Sequence, residues 1–316
     1  MRSVILSMGE ALVDVLPAGD GLWRPVPGGS SYNVALALGR LGAPAAFVGR
    51  LSRDEQGERM TRALADVGVS TALVSRDERP SPLSLVERGS ETASARYAIH
   101  LAGSAHAPPD LPATWPENVA HLHVSSFSAV VGDWGRAVGS ALIETKGVLT
   151  RSFDVNIRPA LLPDRATTQA LVADRMANVE LVKASEEDIG WLYPGQSPER
   201  VAADWSTQGL AALLTRGVSG STLFVKGSPV HAAGYAVDVA DTVGAGDVFM
   251  AAFLAQALDA GALQVPTDMD ASRARALLDY ANAAAALCCM RAGAEAPTRA
   301  EVETFIAASP LRGKSD

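Results

Sequence analysis

The sequence predicts an α/β fold: a doubly wound, mostly parallel sheet flanked by helices, with a small antiparallel β-flap, or lid, beside it. Short apolar or β-branched runs alternate with longer Ala- and Leu-rich stretches, which is the pattern of a parallel sheet wrapped by helices. Two stretches, about 12–22 and 83–100, show strand and turn patterns without an intervening helix, and they predict the lid. We expect one domain over 1–310 and a disordered tail over 311–316.

The predicted elements follow in order along the chain. The apolar run at 4–7 is a buried strand, and 31–41 is a helix with Val34, Leu38 and Leu41 on one face. A second strand and a second helix, which Gly68 ends, come next, because glycine readily takes the left-handed conformation of a helix end. In full, the later strands are predicted at 45–48, 121–125, 149–153, 181–183, 211–215 and 221–225, and the later helices at 56–67, 166–177, 246–258 and 272–290.

Composition excludes several classes of protein. Apolar residues make up 48% of the 316 and charged residues 20%, which is the balance of a globular protein. A formal net charge of -8 argues against broad binding to nucleic acid or to an anionic membrane, since both require a basic surface. Cys288 and Cys289 are adjacent and cannot build a disulfide framework. The N-terminal apolar run is too short for a signal peptide, and no run of about 20 apolar residues occurs, so we expect a cytoplasmic protein.

The most informative segment is D-T-V-G-A-G-D, which ends at Asp247. Val237 and Val239 indicate an extended approach to it, and Gly244 and Gly246 permit a tight turn that leaves backbone N–H groups uncovered. The apolar run that follows begins a helix, and the positive end of a helix binds anions, so the turn predicts a phosphate site. Asp247 would lie beside the phosphate, where its carboxylate can accept a proton from an attacking hydroxyl. An ordinary strand–helix connection is the alternative for these few residues alone.

This segment resembles the second signature of the PfkB/ribokinase family of carbohydrate kinases, D-T-x-G-A-G-D, over all seven positions. The resemblance implies a ribokinase-like fold and an enzyme that transfers a phosphoryl group from ATP to an alcohol group of a sugar. It also implies that Asp247 is the catalytic base and that Gly244, Ala245 and Gly246 form the anion hole.

Residues near the N-terminus resemble the first signature of the family, G-G-x-x-x-N-x-A. Gly28 and Gly29 would let a sugar approach the backbone closely, and the amide of Asn33 can both donate to and accept from hydroxyls. Upstream, the run G-E-A-L-V-D resembles the start of bacterial fructokinases, where the aspartate matched by Asp14 binds sugar hydroxyls. A carboxylate that accepts from two adjacent hydroxyls suits the recognition of a polyol.

Motifs in the middle of the chain agree with the family in order and spacing. The run D-V-N-I-R-P resembles D-x-N-x-R-P, which implies that Asn156 lies between the two substrates and that Arg158 places positive charge near the phosphate or the sugar. The family's K-x-N-x-x-E element, which helps to organise Mg²⁺ through water, is matched with departures, because Ser185 replaces asparagine and Asp188 replaces glutamate. Glu187 therefore competes with Asp188 as the metal residue. The other nucleotide-binding residues implied by the resemblance are Lys183, Thr215, Gly217, Gly220 and Asn282.

The resemblance implies ATP and Mg²⁺ as cofactors, and also K⁺, which relatives bind near the positions matched by Asp241 and Val243. No Walker sequence G-x-x-x-x-G-K-S/T and no dinucleotide fingerprint G-x-G-x-x-G occurs, which disfavours the commoner nucleotide sites and a dehydrogenase. The apolar face of the lid favours a homodimer through the lid. His121 and His123 share a strand face without a third ligand, which argues against zinc.

The sugar is the open question. The G-E-A-L-V-D start favours fructose, whereas Arg96 on the lid resembles 2-keto-3-deoxygluconate kinases, where an arginine can meet a carboxylate. A ribose or nucleoside kinase follows as an alternative. A non-catalytic sugar sensor on the kinase fold is the alternative from a different class, and the intact Asp247 argues against it, because a pure binder needs no base.

Overall fold

The computed structural model describes residues 3–87 and 96–308, and the side chains of residues 86, 87, 96 and 97 lie outside the description. The predicted tail, 311–316, also lies outside it. The strands are β1 Val4–Met8, β2 Leu12–Gly19, β3 Leu22–Gly28, β4 Ala45–Ser52, β5 Val74–Asp77, β6 Leu83–Glu87, β7 Arg96–His100, β8 Val119–Ser125, β9 Thr150–Asp154, β10 Leu181–Ser185, β11 Ala211–Thr215, β12 Ser221–Val225 and β13 Ser228–Ala232. The α-helices are α1 Ser30–Arg40, α2 Glu55–Asp66, α3 Gly132–Glu144, α4 Arg165–Met176, α5 Glu186–Leu192, α6 Pro198–Thr207, α7 Ala245–Asp259, α8 Ala271–Cys289 and α9 Arg299–Ala308.

Within the described ranges, nine strands form one large sheet in the order β13-β12-β11-β10-β9-β8-β1-β4-β5. Neighbouring strands from β11 to β5 run parallel, and β12 and β13 add an antiparallel edge. The strand order proceeds outward in both directions from the β8–β1 pair. Since parallel strands end at the same edge, a crevice for ligands is expected at the carboxyl edge where the direction changes.

Helices cover both faces of this sheet, because successive residues of a strand point to opposite sides. Ile5 and Leu213 belong to a core cluster shared with α1, α2, α7, α8 and α9. Leu6 and Leu214 belong to a second cluster, shared with α3, α4, α5 and α6. Full burial of each such side chain stabilises the fold by about 1.5–3 kcal/mol. Helix α7 is buried almost all round over 247–255, since it packs against both α1 and α8.

In the part of the chain that the structure describes, the lid is a second sheet of four strands in the order β3-β2-β6-β7. Strands β2 and β3 form an antiparallel hairpin, as do β6 and β7, and a parallel β2–β6 pairing joins the two hairpins. The central pairing is parallel because the chain passes through α1, β4, α2 and β5 between the hairpins. Strand β3 continues through Gly28 and Gly29 into α1.

The predicted fold class is confirmed, and each predicted strand and helix coincides with an element whose ends differ by a few residues. The sequence analysis missed β5, β13, α3, α5, α6 and α9, and it ended the first lid segment at 22, whereas β3 extends to Gly28. Strands β3, β5 and β13 are exposed or only partly buried over most of their length, and α5 has only 7 residues. Helix α3 does bury an apolar stripe at helical spacing, Trp134, Val138, Ala141 and Leu142, a signal that the sequence analysis did not use. Residues 233–242 form no strand, and the extended approach expected at Val237 and Val239 stays a prediction. In the part of the chain that the structure describes, no helix is long and apolar enough to cross a bilayer.

Candidate active site

Two cavities meet at the carboxyl edge of the large sheet, beside the start of α7. The small cavity, of about 60 Å³, lies between the lid, α1 and α7, and the large cavity, of about 400 Å³, lies between the ends of β9, β10 and β11 and helices α7 and α8. Arg158 borders both cavities. Gly244 and Asp247 face the small cavity, whereas Ala245 and Gly246 face the large one. The glycine-rich turn therefore separates the two spaces.

Gly244 gives the turn its shape. Its φ of 77° lies in the left-handed region, and a Cβ built on it would lie 2.2 Å from the Cβ of Ala294. Gly246 already belongs to α7, and a Cβ there would lie 3.4 Å from Nζ of Lys183, which is an ordinary contact. The conformational need for glycine is therefore at Gly244, while Gly246 leaves the end of α7 uncovered toward the large cavity.

The amides at the start of α7 do not all serve an anion. The N–H of Ala245 donates to the carbonyl of Thr242 at 3.3 Å, so the anion hole expected at this residue lacks its N–H. The N–H groups of Gly246 and Asp247 lie in the first turn of the helix, where no helical carbonyl precedes them. The predicted anion hole therefore centres on these two amides, at the positive end of a 15-residue helix.

Asp247 is held by hydrogen bonds at both carboxylate oxygens. Ser30 Oγ donates to Oδ1 at 2.7 Å, and Asn33 Nδ2 donates to Oδ2 at 2.9 Å. Its exposed fraction is 6%. Burial raises the pKa of Asp247, while the two hydrogen bonds and the charges of Arg158 and Lys183 oppose that shift. The result is a carboxylate with a fixed orientation at the boundary between the cavities, suited to accept a proton.

Ser30 and Glu10 are site residues that the sequence analysis did not assign. Asn156 Nδ2 donates to Ser30 Oγ at 2.9 Å, and the Ser30 N–H donates to Glu10 Oε1 at 3.0 Å. Ser128 Oγ donates to the other oxygen of Glu10. Burial raises the pKa of the Glu10 carboxyl to about 7. The signals for both residues were the G-G-S-S start of α1 and the G-E-A-L-V-D run.

Asp14 lies in lid strand β2, paired with Ser84 of β6, and it borders the small cavity. Burial raises the pKa of its carboxyl to about 6. A Cβ on Gly28 would lie 2.2 Å from Oδ2 of Asp14, and a Cβ on Gly29 would lie 2.7 Å from the carbonyl oxygen of Glu10. The absence of a side chain at Gly28 and Gly29 therefore leaves space for atoms of Asp14 and Glu10. Of the two glycines, only Gly29 borders the small cavity, whereas the sequence analysis expected a sugar to approach both.

Asn156 and Arg158 follow β9 at the carboxyl edge. Asn156 has a φ of 36°, which is uncommon for a residue other than glycine, and this conformation presents its amide to Ser30. Nη1 of Arg158 donates to the carbonyl of Ile157 at 2.9 Å. The charge of Arg158 acts on both Asp14 and Asp247, so positive charge lies where the two cavities meet.

A buried ion pair lies behind the glycine-rich turn. Nζ of Lys183 is 2.7 Å from Oδ2 of Asp154, and the two residues are 3% and 0% exposed. Burial alone would lower the pKa of Lys183, but the carboxylates of Asp154, Asp188 and Asp247 outweigh it, so the pKa is raised. Lys183 therefore keeps its charge beside Gly246, at the wall of the large cavity, where it suits a polyphosphate.

Ser185 and Asp188 form a capping box at the start of α5. The Asp188 N–H donates to Ser185 Oγ at 3.1 Å, and the Ser185 N–H donates to Asp188 Oδ2 at 2.8 Å. The Ile157 N–H donates to the remaining oxygen of Asp188 at 2.7 Å. Both oxygens of Asp188 thus hold the backbone, whereas Glu187 is exposed at the large cavity. Of the two predicted metal residues, Glu187 has the carboxylate that is open to a hydrated ion.

The site fits Mg²⁺ better than a metal that needs a full set of protein ligands. In the described ranges, no group of three or more His, Cys, Asp or Glu residues could hold a metal ion. Mg²⁺ is commonly held by one or two carboxylates together with substrate phosphates and water. Glu187 at the wall of the large cavity meets that requirement.

The other predicted nucleotide residues line the large cavity. Thr215 ends β11, and Gly217 and Gly220 lie in the turn after it with φ values of 49° and 86°. A Cβ on Gly220 would lie 2.2 Å from the carbonyl oxygen of Ala232, so packing requires glycine there. The amide of Asn282 donates to two carbonyls at the end of β13 and accepts from a serine of β12, so it fastens α8 to this edge.

The residues expected to bind K⁺ lie together in the loop before α7. Asp241 Oδ1 accepts from the Val243 N–H at 3.0 Å, and Oδ2 accepts from the Gly293 N–H at 2.9 Å. Both oxygens of Asp241 therefore hold the backbone, as those of Asp188 do, and the K⁺ site at Asp241 and Val243 stays a prediction.

The place of Arg96 in the site stays a prediction, and the histidine pair borders neither cavity. Arg96 begins β7, but its side chain lies outside the described residues. His121 and His123 are fully buried, with His121 hydrogen bonded to Thr150 and Ser152 and His123 to Ser152, so they serve the interior of the sheet.

Comparison with known proteins supports the family resemblance over most of the chain. The model of the pfkB family of carbohydrate kinases matches residues 13–301. A fructokinase of Rhizobium leguminosarum bv. trifolii is 33% identical over 80% of this chain and 79% of its own, and a fructokinase of Escherichia coli is 29% identical over 96% and 99%. A crystal structure of fructokinase from Vibrio cholerae O395, with fructose, ADP and calcium bound, superposes with a TM-score of 0.84 at 26% identity, covering 96% of this chain and 99% of that one. The chain therefore belongs to the pfkB family of carbohydrate kinases, phosphotransferases with a hydroxyl acceptor.

Proposed function

We propose that this sugar kinase transfers the γ-phosphoryl group of ATP to a primary hydroxyl of fructose. The observation that carries the proposal is the position of Asp247, a buried and doubly hydrogen-bonded carboxylate at the boundary between a small and a large cavity. The sugar would bind in the small cavity under the lid and the nucleotide in the large one.

In this proposal each charged group has one task. Asp247 accepts the proton of the attacking hydroxyl, a role that typically accelerates a reaction about 10²–10⁴-fold. The N–H groups of Gly246 and Asp247, with Arg158, stabilise negative charge on the transferring phosphoryl group, and Lys183 stabilises the rest of the polyphosphate. Mg²⁺, held through water by Glu187, would supply further positive charge to the phosphoryl oxygens.

The charges of the small cavity favour a neutral sugar. Among the described residues that line it, Glu10, Asp14 and Asp247 carry carboxyl groups and Arg158 carries the positive charge. A sugar acid would bring a further carboxylate into this negative surrounding, where like charges disfavour binding. Fructose meets no such repulsion, and its hydroxyls can donate to Asp14. The curated relatives named fructokinase support the same choice.

Steady-state kinetics with ATP, Mg²⁺ and a panel of sugars tests the proposal. We expect kcat/KM for fructose to exceed that for 2-keto-3-deoxygluconate, ribose and nucleosides by at least about tenfold. A hundredfold preference for the sugar acid would overturn the choice of fructose. Sugar binding without any phosphate transfer would instead support a sensor.

The proposal also includes a cytoplasmic homodimer joined through the lid, and activation by K⁺ at Asp241 and Val243. Leu22, Trp23 and Leu83 are exposed on the lid strands, which supports an interface there. We expect sedimentation of the wild type as a dimer and of Trp23→Glu as a monomer. A monomeric wild type contradicts the interface. Equal enzyme activity in a K⁺ buffer and in a K⁺-free tetramethylammonium buffer contradicts activation by K⁺.

A further inference from the structure

A buried chain of hydrogen bonds runs from the junction of β1 and β2 to the carboxylate of Asp247. It begins at Glu10, which is 2% exposed and accepts from the N–H of Ser30 at one oxygen and from Ser128 at the other. It continues through Ser30, whose hydroxyl donates to Asp247. The transfer of phosphate as proposed uses only the last group of this chain, and Glu10 is left without a task.

The hydrogen bonds of Ser30 fix which groups donate and which accept along this series of hydrogen bonds. A hydroxyl has one hydrogen, and Ser30 Oγ accepts from Asn156 Nδ2 at 2.9 Å, so its own hydrogen is available to Asp247. The Ser30 N–H is the first of α1, and such an N–H has no carbonyl partner within the helix. The carboxylate of Glu10 therefore does the work of a helix cap from outside the helix, and it fixes the place from which Ser30 reaches Asp247.

We propose that Glu10 is a positioning residue for Asp247 that acts through Ser30. The inference rests on the proposed role of Asp247 as the base, and it gives Glu10, which borders the small cavity, a role that acts through Ser30 and not through contact with a substrate. A misplacement of reacting groups by about 1 Å can cost on the order of 10²-fold in rate, so a lost anchor of Ser30 is expected to lower kcat more than it changes KM.

Two conservative variants separate the position of the acceptor oxygen from its charge. Glu10→Gln keeps an oxygen within reach of the Ser30 N–H and removes the charge. Glu10→Asp keeps the charge and withdraws the oxygen by one methylene. We expect kcat within about threefold of wild type for Glu10→Gln and about 10- to 100-fold lower for Glu10→Asp, with both KM values within about threefold. Glu144→Gln, an exposed carboxylate at the end of α3, is the control for loss of one charge.

A double-mutant cycle tests whether the effect passes through Ser30. In a Ser30→Ala background, the backbone N–H that contacts Glu10 is kept, but the hydroxyl that contacts Asp247 is lost. We expect Glu10→Asp to lower kcat there by less than about twofold, because the hydroxyl through which its effect would reach Asp247 is absent. Independent effects, in which the two fold-losses multiply, would overturn the inference. So would a Glu10→Gln variant that is as impaired as Glu10→Asp.

Different results overturn the proposed function and the role of Glu10. A folded wild type that phosphorylates no sugar overturns the proposed function, and the inference with it. An active wild type whose Glu10→Asp variant retains full kcat overturns the inference alone. If Glu10→Asp does not fold, Ser128→Ala takes its place in the test, because this change removes the other hydrogen-bond donor to Glu10. An unchanged kcat of Ser128→Ala contradicts the inference. A two- to tenfold loss of kcat that disappears in the Ser30→Ala background supports the inference.

Discussion

Asparagine at position 247 has the shape of aspartate but cannot accept a proton. Its carbonyl oxygen can still accept from Ser30 Oγ, which is 2.7 Å from Asp247 Oδ1. Its amide nitrogen would face the amide nitrogen of Asn33, now 2.9 Å from Oδ2, so Asn33 must rotate its amide to present oxygen. Removal of a buried charge offsets part of the hydrogen-bond energy lost, so we expect Asp247→Asn to fold.

The expected loss follows from the role of the carboxylate. A positioned base contributes about 10²–10⁴ in rate, which corresponds to about 3–5 kcal/mol of transition-state stabilisation at 1.36 kcal/mol for each factor of ten. The nucleotide and the sugar keep their other contacts, so their dissociation constants should change by less than about fivefold. The loss should therefore lie in kcat.

The assay couples ADP release to NADH oxidation, and calorimetric titration reports binding of each substrate. Asp133→Asn is the matched control, because Asp133 also lies in the first turn of a helix but is exposed. We expect its kcat to equal that of wild type. An Asp247→Asn enzyme with kcat within about fivefold of wild type would refute the assignment of the base.

Three further predictions concern the surroundings of the base. Gly244→Ala should lower the free energy of unfolding by about 1–3 kcal/mol in a denaturant titration, because the φ of Gly244 is 77° and its new Cβ would lie 2.2 Å from the Cβ of Ala294. Gly246→Ala should fold normally and weaken ATP binding. A destabilised Gly246→Ala beside a stable Gly244→Ala would contradict the description of the turn. Asp14→Asn should raise the KM for the sugar about 5- to 150-fold and leave the KM for ATP unchanged, and equal effects on both would contradict its place in the small cavity. Because the pKa of Glu10 is raised to about 7, its contribution to stability is present below about pH 4.5 and is lost as the pH rises through 7. The free energy of unfolding of Glu10→Gln should therefore increase relative to that of wild type between pH 5 and pH 8, by up to about 3 kcal/mol. A difference in stability between the two proteins that does not change with pH would contradict the raised pKa.

The sequence predicts the sheet and the glycine-rich turn because both depend on local patterns. Asn33 and Asp247 lie 214 residues apart, and their contact follows from the family resemblance rather than from any pattern in either segment. Glu10 and Ser30 lie in runs that the sequence analysis noted, but the hydrogen bond between them could not be predicted, because it forms only when the junction of β1 and β2 packs against α1. Asp188 was expected at a metal, and its hydrogen bonds to backbone N–H groups become visible only when the loop after β9 meets α5.

The passage from β3 into α1 has a consequence for recombination between relatives. Gly29 alone separates the lid hairpin, which ends at Gly28, from Ser30. Gly28 lies close to Asp14, and Gly29 lies close to the backbone of Glu10. Consider a chimera that receives the lid of a relative with its crossover at Gly29. It would combine the proposed sugar-binding surface of one enzyme with the residues of another enzyme, Glu10 and Ser30, that are proposed to position the base. If the proposed roles hold, we expect only chimeras that exchange the whole segment from Glu10 to Asn33 to change substrate preference and keep the alignment of the base.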